Sequence, residues 1–284
     1  MKHFNDKLCL ITGAASGIGR ATALALAGEG ARLCLADLNQ EALEATARRA
    51  ESISGRTVVR RTLDIADEQA VFELAAEVQE REGAVDVVMN IAGISIWGTI
   101  ENLESRHWRK LVEINLMGPV HVLRAFLPAM IERGRGGHVV NVSSAAGLFG
   151  LPWHAAYSAT KFGLRGISEV LRFDLRHHDI GVSLVCPGGV DTGLVRTIDI
   201  VGVDREDPEV QAMTQRFQRH AVTSEKAAAA ILKGVRRNRY MVFTSLDIRM
   251  GYWFQRKCAW PYEIAMRVLS TRVFGLARKL AAPK

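Results

Sequence analysis

Tyr157 and Lys161 stand four residues apart, and Ser144 stands thirteen residues before the tyrosine. If the pair shares a helix, the two side chains lie on one face, one turn from each other. An ammonium beside a phenol favours the phenolate, so Lys161 is expected to lower a pKa that is about 10 when unperturbed. A phenol tuned in this way gives or takes a proton near neutral pH. The connection from Ser144 to Tyr157 is rich in small residues, and a fold-back there brings the serine hydroxyl beside the phenol. Two hydroxyls and a cation at one point suit a carbonyl oxygen that gains or loses charge. Tyr-x-x-x-Lys is also what an ordinary pair on a helix looks like. The deciding feature is a cofactor site earlier in the chain.

Such a site is legible at the N-terminus. Lys7–Thr12 is an apolar run, a candidate buried strand. Gly13, Ser16, Gly17, Ile18 and Gly19 follow it, then a helical stretch over 20–30 and a second strand over Ala31–Asp37. Strand, glycine loop, helix, strand and acid is the layout of a dinucleotide-binding βαβ unit. The glycines allow a tight turn and a close approach of backbone to pyrophosphate, and the helix N-terminus supplies N–H donors. Asp37, eighteen residues beyond Gly19, is placed to accept hydrogen bonds from the adenosine ribose and to repel a 2′-phosphate. No Arg or Lys occupies 38–40, so NAD is expected rather than NADP, with Arg20 and Arg32 the cations that could still reach in.

The alternation continues. Helices are expected over 39–51 (Asn39 as N-cap), 67–82, 103–117, 121–133 and 155–178, and strands over 57–63, 85–89, 137–142 and 182–186. A helix over 223–237 and a seventh strand over 240–244 follow. The expected fold is α/β: a doubly wound, parallel, seven-stranded Rossmann-like sheet flanked by helices, with a C-terminal helical extension. Residues 1–245 read as one domain and 246–284 as the extension, two helices over 246–260 and 261–280.

With 284 residues the chain is long enough for a substantial core. Its four cysteines make no Cys-x-x-Cys pair or metal-like cluster, and Cys9, Cys34 and Cys186 fall in apolar runs, which points to reduced core thiols in a cytoplasmic protein. No apolar signal core opens the chain, and no stretch reads as long enough to span a membrane. The net charge of +7 is uneven: residues 231–284 carry +10, which leaves −3 for residues 1–230.

Together these residues resemble the short-chain dehydrogenase/reductase family. The likeness covers about residues 7–245. It rests on Thr12-Gly-x-x-x-Gly-Ile-Gly19, Asp64, Asn90-x-Ala-Gly93, Asn115, Ser144, Tyr157-x-x-x-Lys161 and Pro187-Gly-x-Val-Asp-Thr192. One departure is Ile91, where many members have a second Asn. The resemblance implies that Tyr157 is the general acid/base, that Lys161 lowers its pKa and holds the nicotinamide ribose, and that Ser144 hydrogen-bonds the substrate oxygen. It implies that Asn115 holds a water in a proton relay, that Asp64 and Ile65 contact adenine, and that Asn90, Ala92 and Gly93 line the cofactor. Pro187, Gly188, Val190 and Thr192 would grip the nicotinamide carboxamide. No metal is needed. A homodimer or homotetramer is implied as well.

The expected substrate loops, 94–98, 145–153 and 190–220, carry apolar side chains including Trp97, Phe149 and Trp153. They favour a hydrophobic alcohol or carbonyl substrate such as a steroid, retinoid, long-chain or aromatic alcohol, with 190–220 as a lid. His154, three before Tyr157, is expected to be a bystander at a helix start. The basic, aromatic segment 246–284 is expected to close the pocket or pack on another subunit. Contact with an anionic membrane surface is the less favoured reading, and nucleic-acid binding is not expected. A non-catalytic NAD-binding scaffold or redox sensor is the competing function, and the intact Ser144, Tyr157, Lys161 and Asn115 argue against it.

Overall fold

The computed structural model describes residues 1–56, 58–191, 199–203, 207, 211 and 221–281, with Ala259 and residues 272–281 described by their backbone alone. Seven strands form one parallel sheet: β1 (Leu8–Thr12), β2 (Arg32–Asp37), β3 (Val59–Thr62), β4 (Val87–Asn90), β5 (Gly137–Val142), β6 (Ile180–Cys186) and β7 (Met241–Phe243). Their order is β7-β6-β5-β4-β1-β2-β3. The sheet reverses its winding at β1 and β4, and in open α/β sheets ligands bind beyond the carboxyl ends of the strands at such a switch point.

Both faces of the sheet are covered, which is why β1 reads as an uninterrupted apolar run: all five of its residues are buried. On one face Cys9 and Ile11 pack with Ala23, Leu26 and Ala27 of α1 (Gly17–Gly28) and with Ile231, Leu232 and Val235 of a helix at Ser224–Arg236. On the other, Leu8 and Leu10 pack with helices Glu68–Glu82 and Gly118–Arg133. In chain order the helices are α1, α2 (Gln40–Ser54), α3 (Glu68–Glu82), α4 (Ser105–Val112), α5 (Gly118–Arg133), α6 (Ala155–Asp174), α7 (Ser224–Arg236), α8 (Leu246–Lys257) and α9 (Ala259–Ala281). Asn39 caps α2 as expected, its side chain accepting from the Ala42 N–H, and Asp67 caps α3 in the same way. The edge strand β3 shows solvent two arginines, each paired with glutamates of the flanking helices, a charged edge that discourages further strand pairing.

The helices refine or depart from the sequence expectation at several points. The helix that the sequence leaves either continued or kinked at Gly118-Pro119 continues: a π-helical turn over Glu113–Met117 joins α4 to α5, and Pro119 falls in the first turn of α5, where a missing N–H is tolerated. The resulting run 105–133 is long and apolar enough to cross a membrane, contrary to the expectation that no stretch is. More than half of its most apolar window is buried in the protein, as in a core helix. The expected helix 155–178 is α-helical only to Asp174 and finishes as a 3-10 turn over Leu175–His178. The break between the last two helices falls at Cys258, so Pro261 lies in the first turn of α9 and does not open it.

A chain of buried amides crosses the middle of the sheet. Asn90 Nδ2 on β4 donates to Asn141 Oδ1 on β5 (2.9 Å), Asn141 Nδ2 donates to Ser168 Oγ on α6 (2.9 Å), and Ser168 donates to the Leu164 carbonyl (2.7 Å). All three side chains are buried, so removing the middle one strands two polar partners. Asn141→Ala is expected to lower the unfolding free energy by about 2 kcal/mol, read from urea denaturation.

Candidate active site

The loops that leave β1, β4, β5 and β6 meet at one edge of the sheet. The first is built for close backbone approach. Gly13 holds φ +70° and Gly17 φ +49°, both in the left-handed region that favours glycine. A Cβ on Gly13 would lie 2.8 Å from Ala92 Cα, and one on Gly19 would lie 2.0 Å from the Gly13 carbonyl oxygen. Ser16 is the N-cap residue of α1 but makes no side-chain capping bond, which leaves the first-turn N–H groups of Gly17, Ile18 and Gly19 uncapped by it. Thr12 turns inward: its hydroxyl accepts from the backbone N–H groups of Ile91 (3.1 Å) and Ala92 (3.2 Å) and so fastens the β1 turn to the loop after β4.

Asp37, at the end of β2, is held by the chain itself. One carboxylate oxygen accepts from the Ala15 N–H (3.0 Å) and the other from the Asn39 N–H (2.9 Å), so the acid faces the glycine loop in a fixed orientation. Asp64 is exposed and accepts from the Ala66 N–H (2.9 Å). Ile65 is buried, its side chain over the bare Cα of Gly118 and its carbonyl on His121 Nδ1 (3.1 Å). This set fits a dinucleotide: a turn without side chains, an uncapped helix N-terminus for the pyrophosphate and an oriented acid for a ribose.

The loop after β5 delivers the chemistry. Ser143 and Ser144 are neighbours with different duties. Ser143 is buried and donates to the Lys161 carbonyl (2.9 Å), which ties β5 to α6. Ser144 is partly open, caps the short turn at Ala145–Gly147 by accepting from the Ala146 N–H (3.1 Å), and hydrogen-bonds with Tyr157. Lys161 extends along α6 so that Nζ donates to the Val142 carbonyl (3.1 Å), 5.7 Å from the centroid of the Tyr157 ring. Among the described residues Lys161 forms no ion pair, and burial pushes its pKa down to about 8.

The phenol departs from the sequence expectation. Tyr157 sits among Ile96, Leu111, Ala146 and Ala156, and this burial raises its pKa above the ordinary value, with the Ser144 hydrogen bond acting the other way. Desolvation of the phenolate is the larger of these two effects in the free chain, and Tyr157 is held protonated at neutral pH.

Asn115 occupies the π-helical turn and is fully buried. Its amide grips the loop after β4 at both ends, accepting from the Ile94 N–H (2.9 Å) and donating to the Ile94 carbonyl (2.9 Å). The side chain is therefore committed to positioning that loop. Gly93 lies beside it: a Cβ there would come within 2.9 Å of Asn115 Oδ1 and 3.4 Å of Lys161 Nζ. A π turn in a helix often marks a functional position.

The aromatic side chains expected to line a substrate pocket divide into two groups. Trp97 and Trp153 fall in one apolar cluster, and Trp153 keeps φ +64°, a strained conformation for a bulky residue. Phe149 is buried elsewhere, against Tyr262 and Gly251 of the C-terminal helices. His154, read as a bystander at a helix start with substrate contact as the alternative, stands at the N-cap of α6: its ring lies tilted against Trp97 at 4.3 Å and meets Tyr157 edge-on at 6.1 Å. Its three-residue offset from Tyr157 was the available signal. Nδ1 donates to the Pro152 carbonyl (2.6 Å) and burial lowers its pKa, so Nε2 of the neutral ring is an acceptor. Pro187 accepts from the Ala145 N–H (2.7 Å), Gly188 lies under Ile248 of α8, and Val190 is buried in a two-residue strand paired with Val222–Thr223. Thr192 and most of the expected lid lie outside the described residues.

A parallel sheet with this switch point, and a Ser-Tyr-Lys cluster beside a glycine turn, define a dinucleotide-dependent oxidoreductase fold. The sequence profile of the short chain dehydrogenase family matches residues 7–201, and the chain belongs to that family. Among curated relatives, the CLA biosynthesis dehydrogenase/reductase of Lactiplantibacillus plantarum is 32% identical over 257 residues, covering 86% of this chain and 90% of its own. The 3-oxoacyl-[acyl-carrier-protein] reductase FabG of Thermotoga maritima is 35% identical over 196 residues, covering 69% and 79%. The crystal structure of a short chain dehydrogenase/reductase from Burkholderia phymatum in complex with NAD superposes with a TM-score of 0.82 at 29% identity, over 90% of this chain and 95% of that one.

The glycine turn generates a direct test. Gly19→Ala is expected to weaken NADH binding at least tenfold in a fluorescence titration, because the new methyl overlaps the Gly13 carbonyl. Gly28→Ala, at the other end of α1, where a Cβ meets only Ile53 at 3.9 Å, is expected to bind normally.

Proposed function

We propose that this chain is an NAD(H)-dependent oxidoreductase that interconverts a primary or secondary alcohol and its aldehyde or ketone, acting on a hydrophobic substrate. The observation that carries this reading is the hydrogen-bonded pair Ser144–Tyr157 with the Lys161 ammonium beside it, at the strand ends next to the glycine turn. The bound nicotinamide supplies or accepts the hydride at the substrate carbon. Tyr157 gives the proton to the substrate oxygen in reduction and takes it back in oxidation. Ser144 holds that oxygen by hydrogen bonding. Lys161, charged below about pH 8, favours the phenolate left once the proton has gone. Asn115 keeps the Ile94 loop against this centre. The FabG relative, named for reduction of a 3-oxoacyl group, supports carbonyl chemistry. The apolar collar of Ile96, Trp97 and Trp153 supports a steroid, retinoid, long-chain or aromatic alcohol.

NAD is favoured over NADP by the fixed carboxylate of Asp37 and by the position of the nearby cations. Arg32 stands at the far end of β2, where it pairs with Glu82, and Arg20 is exposed on α1. Asp37→Ala is expected to raise the ratio of NADP to NAD turnover at least tenfold, read from kcat/KM with each cofactor.

The main experiment is the initial rate of NADH formation across short alcohols, long-chain secondary alcohols, hydroxysteroids and retinol. Tyr157→Phe is expected to lose at least about a thousandfold in kcat, within the range of a general acid/base. An unchanged Tyr157→Phe rate would remove Tyr157 from the chemistry, whereas NAD binding with no turnover of any alcohol or carbonyl would favour the scaffold reading. Because burial raises the Tyr157 pKa, the phenolate fraction keeps growing as pH rises. Alcohol oxidation is therefore expected to climb from pH 6 to 9, while carbonyl reduction, which uses the protonated phenol, stays flat over that range.

A further inference from the structure

The C-terminal helices pack on the sheet and the catalytic loop by one face only. The hydroxyl of Tyr262 accepts from the Gly150 N–H (3.0 Å), Arg165 of α6 donates to the Tyr252 hydroxyl (3.0 Å), and Ile248 covers Gly188. The opposite face is open. On α8 it carries Leu246, Met250 and Trp253, spaced four and three residues apart. On α9 it carries Trp260, Ile264 and Val268, every fourth residue. Trp253 is 56% and Trp260 71% exposed. An apolar patch of this kind on a protein surface marks an interaction site.

Cations flank the patch. Arg249, Arg256 and Lys257 border a groove of about 400 Å³ between α8 and β7, with Phe243, Tyr252 and Trp253 as its aromatic walls. Residues 246–284 contain eight Lys or Arg and two acids, a net +6. Of the acids, Glu263 is already paired with Arg267 on its own helix. Arg249 and Lys257 form no ion pair among the described residues.

We propose that this face docks on the anionic surface of a lipid bilayer. Aromatic and aliphatic side chains on one face, with basic residues around them, are what a helix needs to lie in the headgroup region. The tryptophans and Leu246 enter the acyl boundary while the cations meet lipid phosphates, each contributing to the attraction. A second copy of this chain fits less well. A two-fold interface sets the same patch against itself, so each basic groove would meet a segment carrying only two acids, one of them already paired. The inference is independent of the catalytic reading, since neither tryptophan nor these cations belong to the Ser144–Tyr157–Lys161 centre.

The test is co-sedimentation of the full chain with vesicles of phosphatidylglycerol and phosphatidylcholine, and with vesicles of phosphatidylcholine alone. The protein is expected to pellet with the mixed vesicles at low salt, to be released by high salt, and to stay in solution with phosphatidylcholine. Arg249→Gln with Lys257→Gln, and separately Trp253→Ala with Trp260→Ala, are each expected to weaken partitioning at least about tenfold. NADH binding, followed by fluorescence, is expected to be unchanged in both pairs, which shows them folded. No anionic-lipid-dependent pelleting, or equal pelleting of the variants, overturns the proposal. So does an oligomer, seen by analytical ultracentrifugation, that the tryptophan pair of substitutions dissociates, because the face is then a subunit contact.

Discussion

The site depends on a buried ammonium with no carboxylate to balance it among the described residues. Taking a charge out of water is costly, and the cost is kept down here by the Val142 carbonyl and by a pKa that falls to about 8. That one hydrogen bond joins the end of β5 to the second turn of α6 and so fixes where Tyr157 stands. The surrounding devices answer to it. Ser143 fastens the same junction from the other side, through the Lys161 carbonyl. Gly93 has no side chain because Lys161 Nζ and Asn115 Oδ1 occupy the space. The amide chain from Asn90 through Asn141 to Ser168 pins α6 to the sheet two turns further along.

Much of this was legible in the sequence because the fold places its signals locally. A strand buried on both faces is a continuous apolar run, so β1 and the centre of β2 could be read directly. The glycine turn and Asp37 lie within one βαβ unit, and Tyr157 and Lys161 within one helical turn. That the two adjacent serines have different surroundings was not legible locally: Ser143 is buried and donates to the Lys161 carbonyl, while Ser144 is partly open and caps the turn after β5.

What was not legible depends on contacts between distant segments. The direction of the Tyr157 shift turns on how much apolar surface closes around the phenol, and Ile96 and Leu111 come from other loops and helices. His154 looked like an ordinary helix start, because nothing in its neighbourhood announces that Trp97, nearly sixty residues earlier, will lie against it. The π turn at Glu113–Met117 leaves no mark in composition, and a Gly-Pro pair normally argues for a break. The pairing of Ile96–Trp97 with Asp199–Ile200 involves strands too short to show a period.

Thr12 carries a consequence for the order in which the molecule is made. The strand, turn and helix at residues 8–28 are synthesised before the loop after β4, yet the turn is closed by hydrogen bonds to Ile91 and Ala92, some eighty residues later. In the sheet β1 lies between β2 and β4, and the β4 pairing spans a comparable separation. Contacts so far apart in sequence pay loop-closure entropy before they are rewarded. A nascent chain made only as far as Asn90 therefore holds every residue of the glycine fingerprint without the cradle they form, and the nucleotide cannot serve as a template for the earliest folding steps.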